Sequence, residues 1–224
     1  MSTQSYRDYI KSFIGAIKFG RETDHTLLEE DGTLVAVGDA ECWDDLSNAI
    51  IGARLDTSTG RLDYDYFNGG VNFNSNARYP QEPVIIPVQF RHKQKYGTGA
   101  VLRPHVHWLQ LQAARPNFLL GYKKTNQGST TTFESDFSNY TLLIPDSDVF
   151  TYTSGTLLQI TKFPEIDVSD VGLSGSVDFA LFRDTTNVSG LFAGSDPVAT
   201  DVTVKYQDQH ALFNMLGSRE ELVK

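Results

Sequence analysis

The sequence predicts an all-β protein, a jelly-roll-like β-sandwich or barrel behind a short N-terminal arm that is helical or extended. Three observations predict it. Beyond Val37, short apolar runs recur with Gly, Asp, Ser and Pro clusters between them, the punctuation of sandwiches and barrels. Helical periodicity is nearly confined to the opening segment. One late run, Asp201-Val-Thr-Val-Lys-Tyr-Gln207, alternates, putting Val202, Val204 and Tyr206 on one face and Thr203, Lys205 and Gln207 on the other, as in a half-buried antiparallel strand.

Residues 1–24 form the expected arm. Tyr6, Ile10, Phe13, Ile14 and Ile17 recur at steps of three and four, the spacing of one amphipathic helix. The stripe either packs on its own domain or docks on a neighbouring subunit, because a terminal segment is ordered only when something ties it down. Residues 25–224 form the expected β-domain. It opens with a hairpin, Thr26 to Val37, whose apolar runs flank Asp31-Gly32, a favoured two-residue turn.

Further strands are expected at Val71 to Phe73, Val84 to Phe90, Val101 to Gln112, Asn117 to Tyr122, Thr130 to Phe133, Tyr140 to Ile144, Thr156 to Phe163, Ser176 to Phe182 and Val198 to Tyr206. Pro87 cannot donate to a ladder, which places its strand on an edge or at a bulge. Turn clusters such as Asn126-Gln-Gly-Ser129, Pro145-Asp-Ser-Asp148 and Gly194-Ser-Asp-Pro197 separate these runs. Near the end, Ser218 and Glu221 have the spacing of a helix capping box. There is no internal repeat and no linker long enough to mark a second domain.

Composition narrows the function classes. The chain has 224 residues, 40% of them hydrophobic and 21% charged, which is enough apolar material for a sizeable core and excludes a disordered or low-complexity chain. Nineteen Lys+Arg against 28 Asp+Glu leave a net charge of −9, which argues against a nucleic-acid partner, since phosphate binding calls for a concentrated positive surface. Cys42 is alone, so no intrachain disulfide framework and no cysteine-rich zinc site is expected, and folding in a reducing compartment fits. No basic start followed by an apolar run suggests a signal peptide, and no stretch has the length of a membrane span. No membrane partner is expected.

The candidate site residues are histidines. In Leu102-Arg-Pro-His-Val-His-Trp108, His105 and His107 are two apart and share a face if the segment is a strand, which is how a β-scaffold offers two nitrogen ligands to one metal. Gly99 stands six positions before His105, as in the first cupin metal motif, but the carboxylate that should follow is replaced by Leu111 and Gln112. His210-Ala-Leu-Phe-Asn214 is similar to the second cupin motif without its Pro-x-Gly lead. The competing reading is structural: Leu102, Pro104, Val106 and Trp108 make one apolar face, and the histidines sit at the edge of the core or at a subunit contact. No cofactor is expected on that reading; a transition metal is expected on the other.

Other constellations are weaker. No Gly-x-Ser-x-Gly elbow, P-loop, Gly-x-Gly-x-x-Gly or His-Glu-x-x-His occurs. Glu41, Asp44 and Asp45 around Cys42 disfavour a thiolate, so a nucleophile there is not expected. Asp63 and Asp65 share a face if extended and suit acid/base work or calcium, yet no further acid stands at ligand spacing, and a polar surface loop anchored by Tyr64 and Tyr66 is the better reading.

Taken together, Trp43-Asp-Asp-Leu46, Arg103-Pro-His-Val-His-Trp108, Ser174-Gly-Ser-Val-Asp-Phe-Ala-Leu-Phe-Arg-Asp184 and the terminal run from Lys205 through Leu216-Gly-Ser-Arg-Glu-Glu-Leu-Val-Lys224 resemble a group of tailed-bacteriophage virion structural proteins with a Pro-His-Ile/Val-His-Trp motif and a Leu-Gly-Ser-Arg-Glu-Glu C-terminus. The resemblance spans about residues 43 to 224 and does not align the section from Phe133 to Gly155. It implies a non-catalytic particle component with a jelly-roll-like fold, acting as capsid decoration or cement or as a head–tail, collar or tail part. The implied partners are further copies of itself as a homo-oligomer and the major capsid or head–tail/tail proteins of the same virion, assembled in the host cytoplasm. The expected interface residues are Tyr6, Ile10, Phe13, Ile14, Ile17, Trp43 and Trp108. Two other classes stay open: a cupin-like metalloprotein using His105 and His107 with His210 as a further ligand, and a carbohydrate-binding β-sandwich that stacks sugars on exposed aromatics.

Overall fold

The computed structural model describes residues 17–28, 34–46, 48–49, 54–55, 62–89, 98–110, 112–126, 128, 137–147, 157–172 and 175–214. Within them the chain is almost entirely β. The strands are β1 (Ile17–Gly20), β2 (His25–Leu28), β3 (Leu34–Val37), β4 (Cys42–Asp45), β5 (Asn48–Ala49), β6 (Arg54–Leu55), β7 (Leu62–Asp65) and β8 (Gly70–Phe73). They continue with β9 (Val84–Gln89), β10 (Val101–Gln110), β11 (Phe118–Thr125), β12 (Thr141–Leu143), β13 (Leu157–Lys162), β14 (Ile166–Asp167), β15 (Ser176–Arg183) and β16 (Val202–Phe213). A single 3-10 turn at Gly38–Ala40 is the helical content of the described residues, and no helix there is long and apolar enough to cross a membrane.

Two antiparallel sheets carry the domain. The first runs β13-β10-β16-β8-β7, with β14 beside β10 and with β4 and β5 beside β16; the second runs β12-β11-β15-β9-β6. Among the eight strands β8, β9, β10, β11, β12, β13, β15 and β16, the first pairs with the last, the last with the third and the third with the sixth. On the opposite sheet the second pairs with the seventh, the seventh with the fourth and the fourth with the fifth. That interleaved order is a jelly roll, in which strand pairing is dominated by contacts distant in sequence.

Period-two alternation sends one side of each sheet into a common core. Phe73, Leu102, Val106, Trp108 and Val204 from the first sheet meet Val84, Ile86, Phe118, Phe179 and Leu181 from the second. Trp108 is 1% exposed, donates its indole N–H to Thr161 Oγ1 at 3.0 Å and meets the Phe118 ring edge-on. It is therefore a core residue and not the expected interface residue, because it shares the inward face of β10 with Val106. The outer face of the second sheet is also covered: Leu119, Ala180 and Phe182 pack under Tyr79, Phe137, Tyr140 and Phe192.

Where the sheets break rules of composition, the topology explains why. Pro104 lies inside the long strand β10, but the neighbour on one side changes there, from β14 opposite Leu102 to β13 opposite His105. Pro87 pairs with Asp178 of β15 on one side; on the other, among the described residues, β6 pairs with Val84 and Ile85. Gly70 lies so close to the Val204 carbonyl that any Cβ would collide with backbone.

Three corrections concern the strand pattern and the arm. Pairing between β10 and β16 slips at His107/Trp108: His107 faces Tyr206 but Trp108 faces Val204, leaving Lys205 as the extra residue of a β-bulge. The expected alternation therefore holds for Val202 and Val204 and then inverts, with Tyr206 40% exposed and Gln207 fully buried. Asp63 to Asp65, expected in a surface loop, belongs to strand β7. Finally, Ile17–Gly20 is a strand rather than the last turn of a helix, and it pairs with β2 in a three-stranded sheet β1-β2-β3 that straddles the expected boundary at residue 24. Tyr6, Ile10, Phe13 and Ile14, the strand at Thr130 to Phe133, and Ser218 with Glu221 lie outside the described residues.

Candidate functional site

The inward commitment of Val106 and Trp108 forces His105 and His107 onto the outer face of the first sheet. The register then determines their company. His105 stands opposite Asp208, Arg103 opposite His210, and His210 opposite Asp45 of β4. The bulge at Lys205 is what turns Asp208 and His210 outward; an unbroken alternation from Val202 would bury both. Three strands thus bring three histidines and two aspartates onto one patch.

The donor atoms are close. His107 Nε2 lies 3.2 Å and His105 Nε2 3.8 Å from the same oxygen, Asp208 Oδ2. His210 Nε2 lies 2.8 Å from Asp45 Oδ1. The His105 ring is 5.0 Å from that of His107 and 4.7 Å from that of His210, centre to centre. Two sets of three, His105–His107–Asp208 and Asp45–His105–His210, have ligand atoms within 4.8 Å of one another. His105 and Asp208 are buried, at 7% and 6% exposure, whereas His210 and Asp45 are about half exposed.

Burial pushes the His105 pKa below its ordinary value of 6.5, and the neighbouring His107 and His210 push it the same way; the Arg103 carbonyl and Asp208 oppose them. His105 is accordingly a neutral imidazole at pH 7, with a lone pair to offer. Its Nδ1 faces the Arg103 carbonyl oxygen at 3.5 Å, which leaves Nε2 directed at Asp208. The cluster opens into a cleft of about 500 Å³. Beyond the cluster the walls are Arg103, Lys162, Asp146 and Glu165. Arg103 donates to Glu165 at 2.9 Å and lies 4.0 Å above the Trp43 ring, which is 40% exposed at the rim.

Of the residues singled out from sequence, His105, His107 and His210 are brought together. Ile17 and Trp43 are on the surface, Ile17 half-buried and Trp43 exposed, and Trp108 is not. Asp65 is elsewhere: its carboxylate accepts bonds from Asn68 and Thr203, which hold the β7–β8 turn and keep its pKa below the ordinary carboxylate value. No carboxylate stands a few residues along the histidine strand; Asp208 and Asp45 arrive laterally instead, from β16 and β4, which spacing within one strand does not show. The donors face away from the sandwich interior, unlike a site enclosed between the sheets. Two imidazole nitrogens with one carboxylate oxygen suit a divalent transition metal better than magnesium or calcium, which prefer all-oxygen sets.

No protein-family profile matches the chain, and no curated protein sequence matches it. Solved structures similar to it include a xylan-binding module CBM15, at 12% identity and TM-score 0.36, covering 78% of this chain and 97% of that one. Another is Xylanase10C from Cellvibrio japonicus in complex with xylopentaose, at 12% identity and TM-score 0.33, covering 75% of this chain and 27% of that one. A third is infectious bursal disease virus Gx strain, at 10% identity and TM-score 0.31, covering 87% of this chain and 41% of that one. Likenesses this weak carry no argument about what the chain does.

Proposed function

We propose that this chain is a structural protein of a tailed-bacteriophage particle, non-catalytic, working through contacts with copies of itself and with the capsid or head–tail/tail proteins around it. The observation that carries the reading is the three-stranded sheet β1-β2-β3. Ile17, Leu27, Leu28, Leu34, Val35 and Val37 are half-buried and no residue of the three strands is fully buried, while Phe19 is 59% exposed. A small sheet of apolar side chains gains stability when a second layer covers it, and a neighbouring subunit supplies such a layer. One backbone bond, from Ala36 N–H to the Asn214 carbonyl at 2.6 Å, ties the sheet to the end of β16. The jelly-roll order and the Pro-His-Val-His-Trp and Leu-Gly-Ser-Arg-Glu-Glu segments support the same reading.

Mass spectrometry of purified particles from the source phage tests it directly: the protein is expected in intact virions, and its absence sinks the proposal. Removing residues 1–20 is the companion test. The β-domain is expected to stay folded while the oligomeric mass or particle incorporation falls; unchanged assembly counts against the sheet as the contact.

A second reading, carbohydrate binding, is favoured by one observation: Tyr66 is 78% exposed and Phe67 fully exposed at the β7–β8 turn, with Tyr64 and Tyr66 ring centres 5.9 Å apart. Exposed rings of this kind stack on sugar faces. A glycan array without hits removes it.

A further inference from the structure

We infer that His105, His107 and Asp208 form a binding site for one divalent transition metal of the zinc class on the outer face of the first sheet. The inference goes beyond the particle role and does not depend on it. Zinc held at about 2.0–2.2 Å by tetrahedral ligands places those ligands about 3.4 Å from one another. The separations of 3.2 Å and 3.8 Å from Asp208 Oδ2 to the two Nε2 atoms straddle that value, and all three ligand atoms lie within 4.8 Å of one another, so side-chain rotation brings them onto one ion. Two of the three ligands are more than nine-tenths buried, and His107 Nε2, 3.2 Å from the same oxygen, is a buried nitrogen without a hydrogen-bond partner. Leaving the His107 nitrogen without a partner at that depth is costly unless something satisfies it.

The surroundings complete the arrangement. The Arg103 carbonyl faces His105 Nδ1, the outer-shell contact that selects the tautomer with Nε2 free for the ion. His210 is engaged with Asp45 at 2.8 Å, a hydrogen-bond distance, and forms the wall beside the site. Three protein ligands leave a fourth position facing the cleft, which water fills. Nitrogen-rich donors favour zinc, cobalt, nickel or copper over magnesium and calcium.

The probe is the metal alone, added to full-length protein stripped with a chelator. Titration with zinc against a chromophoric indicator is expected to show one ion per chain, and cobalt is expected to give the intense visible bands of a four-coordinate site. His107→Gln, the more accessible ligand, is expected to weaken binding by more than about 100-fold, beyond what loss of an outer-shell partner causes. His105→Gln is expected to do the same, and circular dichroism checks that each variant is folded. His210→Ala is expected to keep stoichiometric binding. Absence of stoichiometric binding, or binding that His107→Gln leaves unchanged, overturns the site; loss of binding in His210→Ala overturns the three-ligand assignment.

Discussion

Arg183 closes the jelly roll at one end, and replacing it with methionine is the sharpest test of how the fold is held. Its guanidinium is fully buried and pairs through Nε with Asp196 Oδ2 at 2.7 Å, the carboxylate being 1% exposed. The remaining N–H groups donate to the carbonyls of Phe73, Asn74, Thr200 and Val198. One side chain therefore ties the end of β15 to the end of β8 and to the excursion that leads into β16. Arg183→Met keeps much of the volume but strands a buried carboxylate, whose remaining support is the Val198 N–H at 2.7 Å. Breaking a buried pair by removing one partner costs about 3–5 kcal/mol. At about 2–4 °C per kcal/mol for a chain of this size, Tm should fall by roughly 6–20 °C. Urea unfolding and a thermal scan measure it. Adding Asp196→Asn to Arg183→Met should restore part of the loss, because the orphaned charge is gone. A loss below about 1 kcal/mol for the single variant would refute the reasoning, since a surface ion pair costs that much.

Other outcomes follow from the same structure. Trp108→Phe removes the donor to buried Thr161 Oγ1 and should cost about 1–3 kcal/mol, and adding Thr161→Val should cost little more; full additivity in a double-mutant cycle would show that the bond contributes nothing. Gly70→Ala drives a Cβ into the Val204 carbonyl, so it should lower Tm, with an unchanged melting curve as the contrary result. Burial raises the Asp178 pKa above its ordinary 3.8, with Lys123 opposing, so the ionised carboxylate is disfavoured in the native state. Native stability contributed by this group therefore falls as pH rises from 3.8 through the raised value. Asp178→Asn should stabilise the protein at pH 7 and lose that advantage in acid below the ordinary value, where both states are protonated; a gain that persists unchanged at low pH would contradict the assignment.

The fold class was legible because it depends on local properties. Alternation, turn clusters and apolar runs follow from the period of a strand and the chemistry of Gly, Asp and Pro, and β8 to β13 and β15 lie largely where those signals stand, whereas β14 has no such signal and β16 runs on past the expected end at Tyr206 to Phe213. Ile17 continues a helical spacing, yet Ile17–Gly20 pairs with His25–Leu28, which satisfies its backbone groups in a sheet. Trp108 has the residue type of a contact anchor, but alternation with His107 puts it inside.

The histidine pair and its shared face were fixed by spacing, since residues two apart on any strand point the same way. The partners were not. Asp208 and His210 face the pair only because Lys205 bulges out of register, and a one-residue slip inverts the facing of every side chain beyond it. Asp45 joins because β4 pairs with the end of β16, a contact between residues far apart in the chain. Local chemistry thus determined an acidic, single-cysteine, β-rich chain with two histidines abreast. Long-range strand pairing, whose register rests on the whole core and not on any one segment, decided that an aspartate would stand between them.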